Sequence, residues 1–241
     1  MVDTGTANED FVAEEIIAAL EFRPETRRQQ KRSVESKMQI VEASLQAFMD
    51  LGYDGVSTHH VAEQAQVTQG LITYHFKSKE GLWQAAMDRF FGDFRNELAS
   101  RIRELNDIDD PLFYRLMVRH IIRWPSQYPF VVSFMTENGP TQRKRLSWLV
   151  DRHVRPIFKT VAHILDTGKA EGIIREFDTT HLYFFLMTSS SVFSRQEEVR
   201  LLARREVASK EFIDSHTDML VNMVVRDEEQ IARLKAARLK K

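Results

Sequence analysis

The sequence predicts an all-α fold made of two helical units. Only 9 glycines and 6 prolines occur among 241 residues, and the stretches between them repeat apolar residues every three or four positions, as amphipathic helices do. The clearest break is NDIDDP at residues 106–111. A hydrophobic fraction of 43% with 29% charged residues is ordinary for a globular protein.

Composition excludes several kinds of site. The absence of cysteine removes disulfides, thiolate nucleophiles and cysteine zinc sites. Without an apolar run of about eighteen residues or a signal-like N-terminus, we expect no membrane contact and a cytoplasmic protein. The net charge of −1 argues against a generic polyanion binder. The charges are unevenly placed, because residues 1–22 contain acidic but no basic side chains and residues 23–37 are rich in arginine and lysine.

The first long amphipathic helix is predicted at about 34–51. Its apolar positions repeat at three and four residues and are Met38, Val41, Leu45 and Phe48. Gly52 follows in the usual C-terminal position. This helix is expected to support the next segment from behind.

Two short helices joined by a tight turn are predicted within residues 57–76. Ser57 and Thr58 carry hydroxyls that cap the first helix, and Thr68 caps the second. Gln66 and Val67 form the corner between them. The residues expected to hold the two helices together are Val61, Ala62, Ala65, Leu71, Ile72 and Phe76.

The other face of the second helix is polar and surrounds a glycine. Such a helix fits a DNA major groove, where glutamine and threonine meet base edges and tyrosine, histidine and lysine meet phosphates. The predicted DNA-binding residues are Thr58, His59, Thr68, Gln69, Gly70, Thr73, Tyr74, His75 and Lys77.

The run AQAQVTQGLITYHFKSKEGLW resembles the helix-turn-helix signature of the tetracycline-repressor (TetR) family of bacterial regulators. The positions that match in type and spacing are Ala65, Val67, Gly70, Ile72, His75, Phe76, Ser78, Lys79, Glu80 and Leu82. Gln66 stands where the family's turn usually has glycine, which predicts a strained or reshaped turn. Thr73 replaces the family's phosphate-contacting tyrosine.

From Ser78 a long helix is expected to run to about Leu105 and join the two units, with Glu80 favourable in its first turn. Five later helices are predicted at about 111–124, 130–137, 141–170, 179–200 and 206–225. Pro156 should kink or divide the third of these.

The predicted domains are a flexible extension with a basic arm at 1–33, the DNA-binding domain at 34–94, the effector and dimerisation domain at 95–228, and a basic tail at 229–241. The arm is either a solvated linker or a DNA contact.

The helix after Asp178 is apolar around most of its circumference at residues 182–187. It must be covered on all sides, either by a partner subunit or within one subunit. A homodimer is the preferred interpretation, with an interface of Tyr183, Phe184, Met187, Phe212, Met219 and Met223.

Aromatic residues with a few polar neighbours form the candidate effector site, although each is also an ordinary core residue taken singly. The predicted ligand-binding residues are Trp124, Phe134, Trp148, His153, Phe158, Phe185 and Ser189. This half also resembles the effector domain of the pyrimidine-utilisation repressor branch, which implies a small polar or aromatic ligand. No metal or cofactor is expected, since His153 and His163 lie on different turns of a helix and point in different directions.

The expected function is a homodimeric, ligand-responsive repressor with a small-molecule effector and a palindromic double-stranded DNA operator, with half-sites about 34 to 36 Å apart. An activator with the same DNA-binding domain is the alternative. An enzyme is disfavoured because neither a Gly-x-Ser-x-Gly elbow nor a glycine-rich phosphate loop occurs.

Overall fold

The computed structural model describes residues 17–21, 31–105, 108–127 and 140–238, and their regular secondary structure is helical, which confirms the all-α prediction. The helices are α1 Lys31–Gly55, α2 Thr58–Gln64, α3 Gln69–Phe76, α4 Lys79–Leu105, α5 Asp110–Gln127, α6 Pro140–Leu149, α7 Arg155–Ala170, α8 Thr179–Ser189, α9 Gln196–Ala203, α10 Lys210–Val224 and α11 Glu228–Arg238. A π-helical turn at Val150–Val154 links α6 to α7, and a 3₁₀ turn at Ser190–Ser194 follows α8. The helix predicted at 130–137 lies outside the described residues.

Helices α1, α2 and α3 pack with the start of α4 as the N-terminal unit. Ile40 and Phe48 are buried on α1 where it packs against this unit. The helical path breaks at Gly52, whose φ of 67° is left-handed. This glycine therefore ends the main helix as predicted, and one further turn runs on to Gly55.

Helix α4 is the longest described element, with 27 residues and a length of roughly 40 Å. The Ser78 hydroxyl accepts a hydrogen bond from the Gly81 amide at 3.0 Å, so the predicted cap is present. Buried residues occur from the first turn of α4 to the last, between Leu82 and Leu105. Helix α4 therefore contributes to one continuous core that spans the N-terminal unit and the helices that follow it.

The predicted interruption at Pro156 is confirmed. Pro156 lies in the first turn of α7, where its missing amide proton breaks no intrahelical hydrogen bond. The five residues before α7 widen into the π-helical turn, which the sequence did not predict. This turn places His153 in the interior, where it has no exposed surface.

The single helix predicted at 179–200 is wrong in its extent. Asp178 caps α8 as expected, with its carboxylate 2.9 Å from the His181 amide. Helix α8 then stops at Ser189. The buried Ser190 hydroxyl bonds to the carbonyls of Leu186 and Ile122, at 2.9 and 3.2 Å. Such local bonds compete with a continuing helix and tie this turn to α5.

Helices α5 and α10 run antiparallel and are joined by a ladder of polar contacts. Each step of four residues forward along α5 meets a step of four backward along α10. The pairs are Arg115 with Asn222 at 2.7 Å, Arg119 with Asp218, and Arg123 with Asp214 at 2.6 Å. These side chains are partly exposed, so each ion pair contributes at most about 1 kcal/mol, and the ladder chiefly sets the register.

The N-terminal residues that the structure describes are docked rather than free. Leu20 has no exposed surface and belongs to the main core. The Ala19 carbonyl accepts a hydrogen bond from Arg95 of α4 at 2.7 Å. Residues 17–21, which lie within the predicted N-terminal extension, are therefore packed on α4.

No helix in the described part of the chain is long and apolar enough to span a membrane. The tail predicted as a solvated basic helix end is helical as α11. Its residues 232–237 are exposed, and Ile231 is buried against the core.

His120 gives the fold a pH dependence. Burial against α4 lowers the pKa of His120, and its Nε2 atom is buried without a hydrogen-bond partner. The folded pKa lies below the unfolded value of about 6.5, so the unfolded chain binds the proton more readily and stability falls as the pH drops through that value.

When the pH falls from about 7.5 to about 5.5, we expect the free energy of unfolding to decrease less in His120→Leu than in the parent. The two decreases should differ by at most about 1.4 kcal/mol per pH unit. Urea unfolding at the two pH values measures this difference. His59→Gln is the matched control, because that side chain is 69% exposed. Equal losses in His120→Leu and the parent would contradict the assignment.

Candidate nucleic-acid interface

Helices α2 and α3 meet at their N-termini. The Ser57 hydroxyl caps α2 by accepting the His60 amide at 3.0 Å. This leaves Thr58 free for another contact, and its Oγ1 accepts a hydrogen bond from Gln69 Nε2 at 3.1 Å. Thr58 is therefore not the cap but an anchor that orients the first side chain of α3.

The turn between α2 and α3 has the left-handed residue that the sequence predicted. Gln66 adopts φ of 53°, and the Val67 amide bonds back to the Ala62 carbonyl at 2.9 Å. A non-glycine residue in this conformation costs roughly 1 kcal/mol. Of the two predicted alternatives, the turn is therefore strained and not reshaped.

Helix α3 separates a buried face from an exposed polar face. Ile72 and Phe76 are buried and attach the helix to the core. Tyr74 is 68% exposed, and a Cβ atom added at Gly70 would meet nothing within 4 Å. The exposed positions on or beside α3 are Thr68, Gln69, Gly70, Thr73, Tyr74 and Lys77. This open surface allows close approach of another molecule to the helix backbone.

Positive charge collects at the C-terminal end of α3. Lys77 Nζ donates to the Tyr74 carbonyl at 2.8 Å and lies 5.4 Å from the centre of the Tyr74 ring. Burial lowers the pKa of His75, and the nearby charges of Lys37 and Lys77 lower it further. A phosphate group would be attracted to such a surface.

For two of the predicted DNA-binding residues, Thr68 and His59, the structure gives less direct support. Thr68 occupies the N-cap position of α3, but its side chain makes no capping hydrogen bond. His59 is exposed and lies 3.3 Å from Glu63 one turn along α2. Both side chains remain at the surface beside α3 and are available for contacts with DNA.

A cluster at the boundary between the two units escaped sequence analysis. The Tyr53 hydroxyl donates to Glu80 at 2.9 Å, and the guanidinium carbon of Arg145 lies 3.6 Å from the centre of the Tyr53 ring. Arg145 is only 3% exposed and comes from α6, whereas Tyr53 and Glu80 belong to the DNA-binding unit. No local pattern marks Arg145, because its partners lie 65 or more residues earlier in the chain.

The predicted aromatic core forms around the middle of α4. Trp124 packs on Phe94 with ring centres 3.9 Å apart. Trp148 is half-buried and packs on Trp83. Phe158 packs edge-on against a tyrosine of α8. These predicted effector residues therefore lie within one apolar region between helices.

His153 is the polar member of this core. Its Nε2 atom lies 2.9 Å from the Asp88 carboxylate, and its ring stacks on Phe91. Burial alone would raise the pKa of Asp88, but hydrogen bonds from His153 and Arg152 outweigh burial and lower that pKa. The pair fixes the π-helical turn to α4.

Three predicted effector residues do not join this core. Phe134 lies outside the described residues. Phe185 is 38% exposed on α8, because that helix buries the face that carries Leu182 and Leu186, and Phe185 lies on another side. Ser189 lines a surface groove of about 280 Å³ beside α9, together with Arg195 and Leu202.

The predicted dimer residues divide between the surface and the interior. Phe184, Met219 and Met223 are 56%, 50% and 51% exposed. Tyr183 is buried against Phe158 within the subunit, and burial raises its pKa to about 12. Met187 and Phe212 are half-buried. Tyr183 is therefore a core residue rather than an interface residue.

The described residues contain no group of three or more histidine, aspartate or glutamate side chains arranged to hold a metal ion. The fully buried His153 contacts the partly exposed Asp88 carboxylate, which also accepts a hydrogen bond from Arg152. These contacts hold helices together and form no metal site.

Comparison with known proteins supports this architecture at both ends of the chain. The family model described as bacterial regulatory proteins, tetR family, matches residues 40–86, and the model described as the tetracyclin repressor-like C-terminal domain matches residues 114–224. Together they cover the helix-turn-helix and most of the effector unit. The narrower resemblance to the pyrimidine-utilisation repressor branch stays a prediction.

Curated relatives match over different lengths. The chain is 39% identical to the A-factor receptor protein of Streptomyces griseus over 59 residues, which are 24% of this chain and 21% of that protein. It is 26% identical to the transcriptional repressor DhaR of a Mycobacterium species over 159 residues, which are 64% of this chain and 77% of DhaR. The first match thus spans about a fifth of its relative.

Solved structures share the fold at low identity. AibR, in complex with isovaleryl coenzyme A and operator DNA, has a TM-score of 0.60 with 20% identity, covering 79% of this chain and 98% of that chain. FadR from Bacillus subtilis, in complex with stearoyl-CoA, has a TM-score of 0.57 with 16% identity, covering 77% and 97%. Because one family model matches the helix-turn-helix and another matches most of the C-terminal helices, the chain belongs to the tetR family of bacterial regulatory proteins.

Proposed function

We propose that the protein is a homodimeric transcriptional repressor that binds a palindromic operator and releases it when an acyl-coenzyme A ligand binds. The observation that carries the DNA-binding part is the exposed polar face of α3, which begins at Gln69 with its amide oriented by Thr58. An oriented glutamine loses less side-chain entropy on meeting a base edge. A DNA partner supports the expected cytoplasmic location.

Two kinds of contact are expected on one helix. Gln69 at the start of α3 is placed for base edges, whereas Lys77 after its end adds charge without base-specific geometry. Base contacts discriminate between sequences, while phosphate contacts raise affinity for all of them.

We therefore predict that Gln69→Ala changes base preference and costs about 1 to 3 kcal/mol on the preferred sequence. Lys77→Ala should weaken binding to preferred and random duplexes alike. It should also reduce the salt dependence of the affinity by the amount expected for the loss of about one phosphate contact. Selection of duplexes from a random pool, followed by affinity measurements across salt concentrations, tests both. Equal effects of the two substitutions on both kinds of DNA would contradict this division.

Dimerisation is supported by an apolar surface on α8 and α10. Phe184 on α8 and the pair Met219 and Met223, one turn apart on α10, are each at least half exposed. Three large apolar side chains exposed on neighbouring helices favour burial against a second copy of the chain. A two-fold dimer would present two α3 helices to a palindrome.

We predict that Met223→Glu shifts the protein from dimer to monomer, because it places a charge in the proposed interface. Met38→Glu is the matched control, since Met38 is 62% exposed on α1 in the DNA-binding unit. Light scattering over a concentration series measures the mass. A dimer that survives Met223→Glu unchanged would place the interface elsewhere.

An acyl thioester is the effector class that we infer, since AibR binds isovaleryl coenzyme A and FadR binds stearoyl-CoA. Trp124 and Phe94 are buried against each other, and they are the apolar surroundings that an acyl chain would enter by parting the helices. His153 lies beside this surface and supplies a polar group. Movement of α4 on binding would displace α3, provided that the ligand favours the displaced state.

We predict that tryptophan fluorescence changes saturably with an acyl-CoA of one preferred chain length, because all three tryptophans contribute to the core around α4. A series from acetyl-CoA through isovaleryl-CoA to stearoyl-CoA provides the test, with free coenzyme A as the control. The same compound should lower operator affinity. A protein that binds its operator but responds to no acyl chain would require an effector of another class.

A further inference from the structure

Arg145 is the buried member of three consecutive basic residues in α6. Arg143 and Lys144 are exposed, whereas Arg145 is 3% exposed. Leu149, one turn later on the same side of α6, is fully buried, so Arg145 faces the core. Burying a cation is unfavourable unless its partners are well placed. Arg145 therefore occupies a position where an apolar side chain would be the ordinary choice.

The partners of Arg145 compensate its charge only in part. The guanidinium carbon lies 3.6 Å from the centre of the Tyr53 ring, which is a cation–π contact. The Nη1 atom lies 4.0 Å from Glu80 Oε2, at the outer limit of an ion pair. Among the described residues, the buried Nε atom has no hydrogen-bond partner. The stack on Tyr53 is therefore the main contact that compensates this cation for its lost water.

Tyr53 carries the contact into the DNA-binding unit. Its hydroxyl donates to Glu80 Oε2 at 2.9 Å, and Glu80 lies in the first turn of α4. Its ring stacks on Phe48 of α1, with ring centres 5.9 Å apart, and lies edge-on to Trp83 of α4 at 6.1 Å. Helix α1 packs on α2, and α4 packs on α3. Arg145 thus joins α6 to the two helices that orient the helix-turn-helix.

A series of ring contacts connects Tyr53 with the aromatic core. Trp83 packs on Trp148 of α6, with ring centres 5.4 Å apart. Trp148 in turn meets His153 of the π-helical turn, at 5.6 Å. Arg145 and Trp148 are three residues apart and therefore lie on the same side of α6. A displacement of α6 or of the π-helical turn would therefore move Arg145 relative to the Tyr53 ring.

We propose that Arg145 is a positioning residue for operator recognition. While its charge is stacked on Tyr53, it holds the DNA-binding unit in the arrangement that fits the operator. The proposal rests on the proposed function and deepens it, because it names the contact that an effector would break. A ligand that parts the helices of the aromatic core moves α6 away from Tyr53. The operator is then released, because the two α3 helices of the dimer no longer match its half-sites.

The charge at position 145 makes this contact reversible. An apolar side chain would lose the free energy of its burial when α6 moved away. Arginine instead exchanges a cation–π contact for hydration. Lys79 Nζ also lies 4.6 Å from the centre of the Tyr53 ring, and two cations near one ring repel each other. The closed contact is therefore favoured by a small margin, which a ligand with a modest preference for the open arrangement reverses.

The contact is tested without DNA by removing the Tyr53 ring. Tyr53→Leu leaves the Arg145 cation without its stack, so amide hydrogen exchange at residues 81–85 and 146–149 should be about threefold faster or more. Tyr53→Leu combined with Arg145→Met should restore slow exchange, because no buried cation remains. Arg143→Met is the matched control, since Arg143 is exposed on the same helix. Fast exchange that persists in the double variant would show that Tyr53 acts by packing alone, and would overturn the proposal.

The effect on recognition is tested with two duplexes. One carries both half-sites of a palindrome that the parent selects from a random pool, and the other carries a single half-site. The spacing of the two α3 helices matters only for the palindrome. Tyr53→Leu should weaken binding to the palindrome about tenfold and to the single half-site less than about twofold. The double variant Tyr53→Leu with Arg145→Met should bind the palindrome within about threefold of the parent. Equal weakening on both duplexes, or no rescue, would contradict a positioning role.

The outcomes separate this proposal from the proposed function. If the parent selects no DNA motif, the proposed function fails and the positioning role fails with it. If the parent selects a palindrome and a folded Tyr53→Leu binds it with the affinity of the parent, the positioning role fails while the function stands.

A second variant serves if the unfolding temperature shows that Tyr53→Leu does not fold. Arg145→Ala removes the contact from the side of α6 and leaves the DNA-binding unit unchanged in sequence. It should weaken binding to the palindrome about threefold or more and leave binding to the single half-site unchanged. Parental affinity of Arg145→Ala for the palindrome would overturn the proposal.

Discussion

Packing along the whole length of α4 is the constraint on which the rest of the structure depends. Its first turns bury Leu82 and Trp83 in the DNA-binding unit, and its later turns bury Phe94 and Leu98 in the effector unit. A helix fixed at both ends moves as a rigid element, because close-packed interiors shift between discrete arrangements rather than deforming gradually. The two units are thus one cooperative structure with a common core, and their relative position is set by how α4 is held.

Polar contacts to α4 add specificity to this packing at some cost. Arg145 is almost completely buried, and its nearest carboxylate oxygen, on Glu80, is 4.0 Å away, so much of its compensation comes from the Tyr53 ring. Farther along the helix, the partly exposed Asp88 contacts the fully buried His153. Burying charge is unfavourable unless each partner is well placed. Such contacts therefore favour one arrangement of α6 and the π-helical turn over others that an apolar interface would tolerate.

Local signals account for what the sequence predicted well. The caps at Ser57, Ser78 and Asp178 and the division at Pro156 depend on neighbours within a turn, so the residues themselves reveal them. Contacts between distant residues gave no such signal: Arg145 meets Tyr53, and His153 meets Asp88, only after folding. The early end of α8 depends on Ser190 reaching the carbonyl of Ile122 on another helix. Phe185 was misplaced in the predicted effector core for another reason, because α8 buries Leu182, Tyr183 and Leu186 and leaves Phe185 on another side of the helix.

The small size of α3 gives α4 its influence over the DNA-binding surface. Helix α3 has eight residues and buries only Ile72 and Phe76, so it would be marginal alone and takes its orientation from its neighbours. At its end the chain turns into α4 so closely that a Cβ atom at Gly81 would lie 2.3 Å from the Phe76 carbonyl oxygen. Because this contact is so close, α3 and the first turn of α4 cannot move far relative to each other. A displacement of the first turn of α4 must therefore carry α3 with it, and the strained Gln66 turn is where the chain on the other side of α3 can absorb the change.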